Sequence, residues 1–182
     1  MGLRSRPLTY HPDRPATNAE RQQRFARKRA EELCQLRQKL ATKVYHQSKR
    51  HDWETPPAVF AEYDAEFHFT LDVCATAETA KCAQFCSPEQ NGLVQDWGDD
   101  VCWMNPPYGT QIAAWMEKAY RSSLAGATVV CLVPSRTGTR WWHTWVKGMA
   151  EVRERQGRIT FVGAPDPAGF DSVAVIYRPP SS

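Results

Sequence analysis

Two consecutive prolines sit between an apolar run and an amphipathic stretch: Asn105-Pro106-Pro107-Tyr108 follows Cys102-Trp103-Met104. Each proline locks its own φ at about −65° and pushes the residue before it into extended geometry. The apolar run must therefore end as a strand, and the loop is stiff before anything binds to it. Gln111 to Leu124 then reads as a helix, with Ile112, Trp115, Met116, Ala119 and Tyr120 on one face and Gly126 as its stop. Ala127 to Val133 is almost continuously apolar through Val129, Val130, Cys131 and Leu132, the pattern of a strand covered on both faces in a parallel sheet.

Other segments repeat the alternation. Trp53-Glu54-Thr55-Pro56-Pro57 leads into a helical stretch, Ala58 to Phe67, and Phe69 to Cys74 reads as a buried strand. Two further strands are expected at Ile159–Val162 and Val173–Tyr177. Strands alternating with helices predict an α/β domain with a mostly parallel sheet. Ligands of such sheets sit beyond the carboxyl ends of the strands. Asp72-Val73-Cys74-Ala75 and the Asn-Pro-Pro-Tyr loop both fall at such ends. No internal repeat is visible.

The 182 residues allow one compact domain and a flanking segment. Charge marks the division. Residues 1–50 carry 13 Lys/Arg against 4 Asp/Glu, and the remainder carries 10 against 16. That split predicts a basic arm, disordered and helical, over residues 1–50 and a catalytic body over 51–182. Within the arm, Thr17-Asn18-Ala19-Glu20 has the form of a capping box. A helix is expected from there to about Gln47, with Leu33, Leu36, Leu40 and Val44 as a narrow stripe, and Ser48 to Asp52 as a linker. No run of about 18 apolar residues exists and residues 1–15 lack a signal-peptide core, so a cytoplasmic protein without a membrane span is expected. Cys34, Cys74, Cys82, Cys86, Cys102 and Cys131 form no CxxC pair and are expected to be free thiols, with no metal site.

The loop offers a specific chemistry. Asn105 can present its side-chain oxygen, the Pro106 carbonyl is a second acceptor, and Tyr108 has a flat face for stacking. Two acceptors aimed at one point suit an NH₂ group. An amine held this way is drawn out of conjugation with its ring, which exposes its lone pair to an electrophilic methyl group.

Several ordered segments extend the pattern: Asp52-Trp53-Glu54-Thr55-Pro56, Leu71 to Thr76, Ala80-Lys81-Cys82, Gly92 to Trp97, Trp103 to Gly109, Pro134-Ser135-Arg136-Thr137, Trp141-Trp142-His143 and Gly157 to Phe161. Together they resemble the phage and prophage DNA N-6-adenine methyltransferase (Dam-like) family, from about Asp52 to Pro179. The resemblance implies an abbreviated Rossmann-like, S-adenosylmethionine-dependent methyltransferase fold. It implies that Asn105, Pro106, Pro107 and Tyr108 hold a flipped adenine. It also implies that Asp72, Cys74 and Ala75 contact the methionine part of the cofactor, that Thr55 and Pro56 pack against it, and that Asp96 reads its adenine. No glycine follows Asp72, a departure from the usual Gly-rich loop. About 33 residues separate Asp72 from Asn105, so at least one crossover is expected to shrink to a loop.

Double-stranded DNA is the expected partner, held by Arg136, Thr137, Arg140 and Trp141 beyond the strand Ala127–Val133. The tryptophans there could equally be core. The Pro- and Gly-bearing segment Ala164–Asp171 is a candidate for covering the target. RNA adenine or protein glutamine methylation, or a catalytically silent nucleic-acid-binding relative, are the alternative readings.

Overall fold

The computed structural model describes residues 18–19, 21–32 and 53–180. The chain divides into two units, Met1–Lys39 and Leu40–Ser182. In the first, residues 21–32 are helical (α1) and exposed throughout, and Arg27 pairs with Glu31 one turn on at 3.1 Å. The capping Thr17 and Glu20, the leucine stripe, the linker and Cys34 lie outside the described residues. Among the described residues no helix is long and apolar enough to cross a membrane.

The second unit carries a six-stranded sheet: β1 (Leu71–Asp72), β2 (Gln84–Phe85), β3 (Val101–Met104), β4 (Thr128–Pro134), β5 (Glu151–Glu154) and β6 (Ser172–Tyr177). The order is β2-β1-β3-β4-β6-β5. Pairings are parallel from β2 through β4, and β6 runs antiparallel between β4 and β5. Five strands thus share one direction, a Rossmann-like arrangement. It is abbreviated as expected: no helix occupies 73–100, and both connections there are loops and turns.

Local chemistry explains the helices. α2 (Pro57–Phe67) starts at a proline, whose missing N–H costs nothing in the first turn, after an extended Pro56. It ends at His68 in the left-handed region, while Asp64 accepts the Phe69 N–H at 2.8 Å. Phe60 and Tyr63 pack on Trp103 of β3. α3 (Ile112–Leu124) buries Ile112, Trp115, Met116 and Ala119, each large side chain contributing about 1.5–3 kcal/mol. Gly126 follows at φ 129°, where a side chain would be strained.

Two expectations need correction. Ile159–Val162 is not a strand. Ile159 and Phe161 are buried in a loop, and the Val162 N–H bonds the Glu54 carbonyl at 3.0 Å instead of a ladder partner. Burial produced the apolar alternation there, without pairing. The strand beside β6 is instead the charged Glu151–Glu154, whose sequence has no apolar signal because it lies at the sheet edge. The strand expected over 69–74 is also cut to Leu71–Asp72, since the chain leaves the sheet where Asp72 turns to bind the following loop.

Gly92 joins these loops. A Cβ there would lie 2.1 Å from the Val73 carbonyl oxygen and 3.2 Å from Trp115. Backbone therefore meets backbone, immediately beyond β1, at a glycine twenty residues after Asp72. Gly92→Ala should destabilise the folded chain by about 1–3 kcal/mol, read as a lowered melting temperature; an unchanged melt would show that the close approach does not exist.

Candidate active site

A solvent-open cleft of about 150 Å³ lies beyond the carboxyl ends of β1 and β3. Register brings its two halves together: Leu71 lies opposite Cys102 and Asp72 opposite Trp103, and the Val73 N–H bonds the Trp103 carbonyl at 3.1 Å. Thr55, Asp72, Cys74, Ala75, Asn105 and Pro107 all line the cleft. Residues 50 positions apart in sequence thus share one wall.

The Asn105 amide is held from both ends. Its Nδ2 donates to the Trp53 carbonyl and to Thr55 Oγ1, the latter at 3.0 Å. A backbone carbonyl can only accept, so the NH₂ must face Trp53 and Oδ1 must face away. The Tyr108 hydroxyl, 2.7 Å from Oδ1 and 3.1 Å from the Leu132 carbonyl, donates on that side. Burial pushes the Tyr108 phenol well above its ordinary pKa, so it remains a donor. A carbonyl oxygen has two lone pairs, and one remains for a ligand.

Tyr108 accordingly takes another part than the stacking face expected for it. Its ring is buried, with Phe161 at 6.0 Å and Phe170 at 5.5 Å in edge contacts. Trp53 lies 5.4 Å from Phe161 and completes this aromatic housing around the loop. Pro106 is buried as well, behind the half-buried Pro107.

Asp72 organises the other half. It is 3% exposed. Its Oδ1 accepts the Cys74 N–H at 3.3 Å and its Oδ2 the Lys81 N–H at 3.1 Å. One carboxylate thus closes the whole 73–81 loop. Desolvation raises its pKa from 3.8 to about 6, against the pull of those two N–H groups and of the Lys81 charge. Burial also holds the Cys74 thiol protonated, well above its ordinary value. Lys81 Nζ pairs with Glu54 Oε1 at 2.9 Å inside the cleft.

The remaining expected residues lie elsewhere. Pro56 precedes α2 and its carbonyl accepts the Val59 and Phe60 N–H groups. Asp96 is exposed and caps a turn by accepting the Gly98 N–H at 3.0 Å. Arg136, Thr137 and Arg140 are exposed beyond β4, but Trp141 is buried against Trp142, so it presents no face to solvent. Sequence reasoning gave no role to Glu54, Thr76, Thr79, Lys81 or Trp103, which also line the cleft. A lysine nine residues beyond a strand-end aspartate follows no periodicity, and only the closed loop turns it inward. The free thiols Cys74, Cys82, Cys86, Cys102 and Cys131 agree with the sequence reading.

Parallel strands feeding a stiff Asn-Pro-Pro-Tyr loop beside an amphiphilic cleft define a Rossmann-like methyltransferase domain. The chain belongs to the DNA N-6-adenine-methyltransferase (Dam) family, whose model matches residues 42–175. It is 37% identical over 102 residues to the DNA N-6-adenine-methyltransferase of Haemophilus phage HP1, an alignment covering 55% of this chain and 59% of that protein. It is 32% identical over 84 residues to YfdM of Escherichia coli (strain K12), provisionally described as a methyltransferase, covering 41% of this chain and 92% of the relative. The match thus spans about three-fifths of the phage enzyme's length.

Ionising Asp72 works against the folded state. Because its folded pKa is raised, its contribution to stability is complete below about pH 3.8 and is lost as pH rises through about 6. The loss is on the order of 3 kcal/mol. Asp72→Asn removes that dependence but leaves one N–H facing an NH₂. The stability advantage of the native protein over D72N should therefore shrink between pH 4 and 7 in thermal melts; an advantage that widens would contradict this account.

Proposed function

We propose that this chain transfers a methyl group from S-adenosylmethionine to the N6 amino group of adenine in DNA. The observation that carries the reading is the Asn105 amide in the cleft wall, fixed by Trp53, Thr55 and Tyr108 so that Oδ1 is an acceptor with a lone pair to spare. The cleft's chemistry fits the cofactor. The Trp53 ring and the Asp72 carboxylate suit a sulfonium cation, and the small side chains of Cys74 and Ala75 let a ligand approach the backbone. Thr55, Asp72, Cys74 and Ala75 would hold it, with Pro56 supporting Thr55 from behind. Asp96 would have to release the Gly98 N–H to join them.

When bound, S-adenosylmethionine supplies a methyl group already activated by the sulfonium. The protein's task is then alignment. Asn105 Oδ1 accepts one hydrogen of N6 and the Pro106 carbonyl the other, which turns the nitrogen lone pair out of the ring. The same two oxygens stabilise the positive charge that develops on N6. Tyr108, from its buried seat, keeps Oδ1 in place, and the departing proton passes to solvent through the open cleft. The adenine reaches this point flipped out of the double helix, as base-modifying enzymes require.

Arg136, Thr137 and Arg140 lie beyond β4, on the side where the cleft opens, and suit contact with DNA phosphates. Buried Trp141 would anchor that segment. The basic residues of the arm add phosphate attraction that fades with salt. Such an enzyme would act in the cytoplasm of a bacterial host, encoded by a phage or prophage.

Incubation with methyl-labelled S-adenosylmethionine and DNA, RNA or protein, followed by digestion, tests the reading. N6-methyladenine should appear in the DNA arm. Asn105→Ala should lower kcat about 100-fold or more, and Tyr108→Phe less, by about tenfold. Label in glutamine or only in RNA would overturn the proposal. In a separate DNA-binding titration, Arg136→Ala with Arg140→Ala should weaken binding and reduce the slope of log K against log salt by about 2. A slope equal to that of the native protein would remove both arginines from the DNA interface.

A further inference from the structure

We infer that Lys81 and Glu54 form the site for the amino-acid end of the cofactor, Lys81 taking its carboxylate and Glu54 its α-ammonium group. The inference rests on the methyltransferase reading above and names residues that the loop chemistry leaves without a part. Lys81 Nζ and Glu54 Oε1 are 2.9 Å apart in the cleft wall, with side chains 13% and 30% exposed. A single partly exposed pair gives little net stability by itself. Its placement in the cleft wall therefore calls for a use.

Chemical complementarity supplies one. A zwitterionic α-amino acid has an ammonium and a carboxylate on a single carbon. Set against a lysine–glutamate pair, it forms two opposed ion pairs, charge-assisted on both sides. Neither partner has to lose its counter-charge during binding. A phosphate or a simple carboxylate would satisfy Lys81 and repel Glu54, so the pair selects for a zwitterion.

The backbone holds both groups where this works. Asp72 fixes Lys81 by accepting its N–H at 3.1 Å. Val162 donates to the Glu54 carbonyl at 3.0 Å. Glu54 also stands directly between Trp53 and Thr55, the two residues that receive the Asn105 amide. Three consecutive residues thus serve the amino-acid end and the catalytic acceptor together. In the cofactor, two methylene groups separate the α-carbon from sulfur. A clamp on the α-carbon therefore sets the direction of the sulfonium methyl relative to Asn105, and Lys81 and Glu54 act as positioning residues.

Two ligands separate this role from a structural one. S-adenosylhomocysteine carries the amino-acid end; 5′-methylthioadenosine keeps the nucleoside and thioether but lacks it. Calorimetric titration of the full chain should show tighter binding of the first. Lys81→Met keeps the aliphatic stem and should weaken S-adenosylhomocysteine at least tenfold, about 1.4 kcal/mol, while changing 5′-methylthioadenosine less than twofold. Glu54→Gln should act in the same direction, and Lys81→Arg should restore part of the loss. Parallel losses for both ligands, or an unchanged ratio of affinities, would overturn the assignment while leaving the cofactor reading intact. Should K81M melt too low to titrate, K81R and E54Q decide by the same ratio. Absence of S-adenosylhomocysteine binding by the native chain would overturn the cofactor reading itself, and this one with it.

Discussion

Everything in the site depends on which way one amide points. Asn105 is useful only if its oxygen is set as an acceptor in a fixed direction, and the two ends of a carboxamide are nearly the same size. Steric fit alone cannot choose between them. The choice comes from the Trp53 carbonyl, an obligate acceptor that forces the NH₂ toward itself, and from the Tyr108 hydroxyl, which donates on the other side. Tyr108 also reaches Leu132 of β4, so the loop is tied to the neighbouring strand as well as to the segment before α2. The prolines stiffen the backbone, while distant partners orient the side chain. Stiffness without those partners would leave the acceptor undefined.

The other half of the cleft meets a similar problem with fewer residues. Where a longer sheet would place helices, the chain between β1 and β3 runs through loops, and loops need their polar backbone satisfied. Asp72 does this by accepting N–H groups at both ends of the 73–81 loop, at the cost of burying a carboxylate. Gly92 lets the later loop close over Val73 without a side chain in the way. No glycine follows Asp72, yet a glycine does meet this loop, arriving through space from a segment that the sequence places far away. The same closure turns Lys81 inward, so loop economy and ligand chemistry are parts of one arrangement.

Electrostatics divides by location. Ion pairs between α2 and the sheet edge, such as Arg153 with Glu66 and Arg155 with Glu62, are substantially exposed and contribute little by themselves. β5 is kept in place chiefly by its ladder with β6. The Lys81–Glu54 pair is less exposed and sits in the wall of the cleft. Position rather than number decides which pair matters.

How much of this was legible in the sequence follows from the range of the forces involved. Proline stereochemistry acts on adjacent residues, so the Asn-Pro-Pro-Tyr loop and the end of β3 could be read directly. Helical and continuous apolar patterns act over a few turns, so α2, α3, β4 and β6 were legible too, as was the shortened crossover from chain length alone. Asp72 and Asn105 were recognisable as facing one site because strand ends of a parallel sheet share a rim. The edge strand Glu151–Glu154 was not, since an exposed edge needs no apolar pattern, and Ile159–Val162 misled because burial in a loop imitates a strand. The burial of Tyr108 and Trp141, the turn-capping position of Asp96 and the inward lysine came only with the tertiary structure. Sequence by itself determined the stiff loop and the chemistry it offers. Tertiary structure decided which way the Asn105 amide points, because the groups that orient it lie fifty residues away and only folding brings them within hydrogen-bond distance.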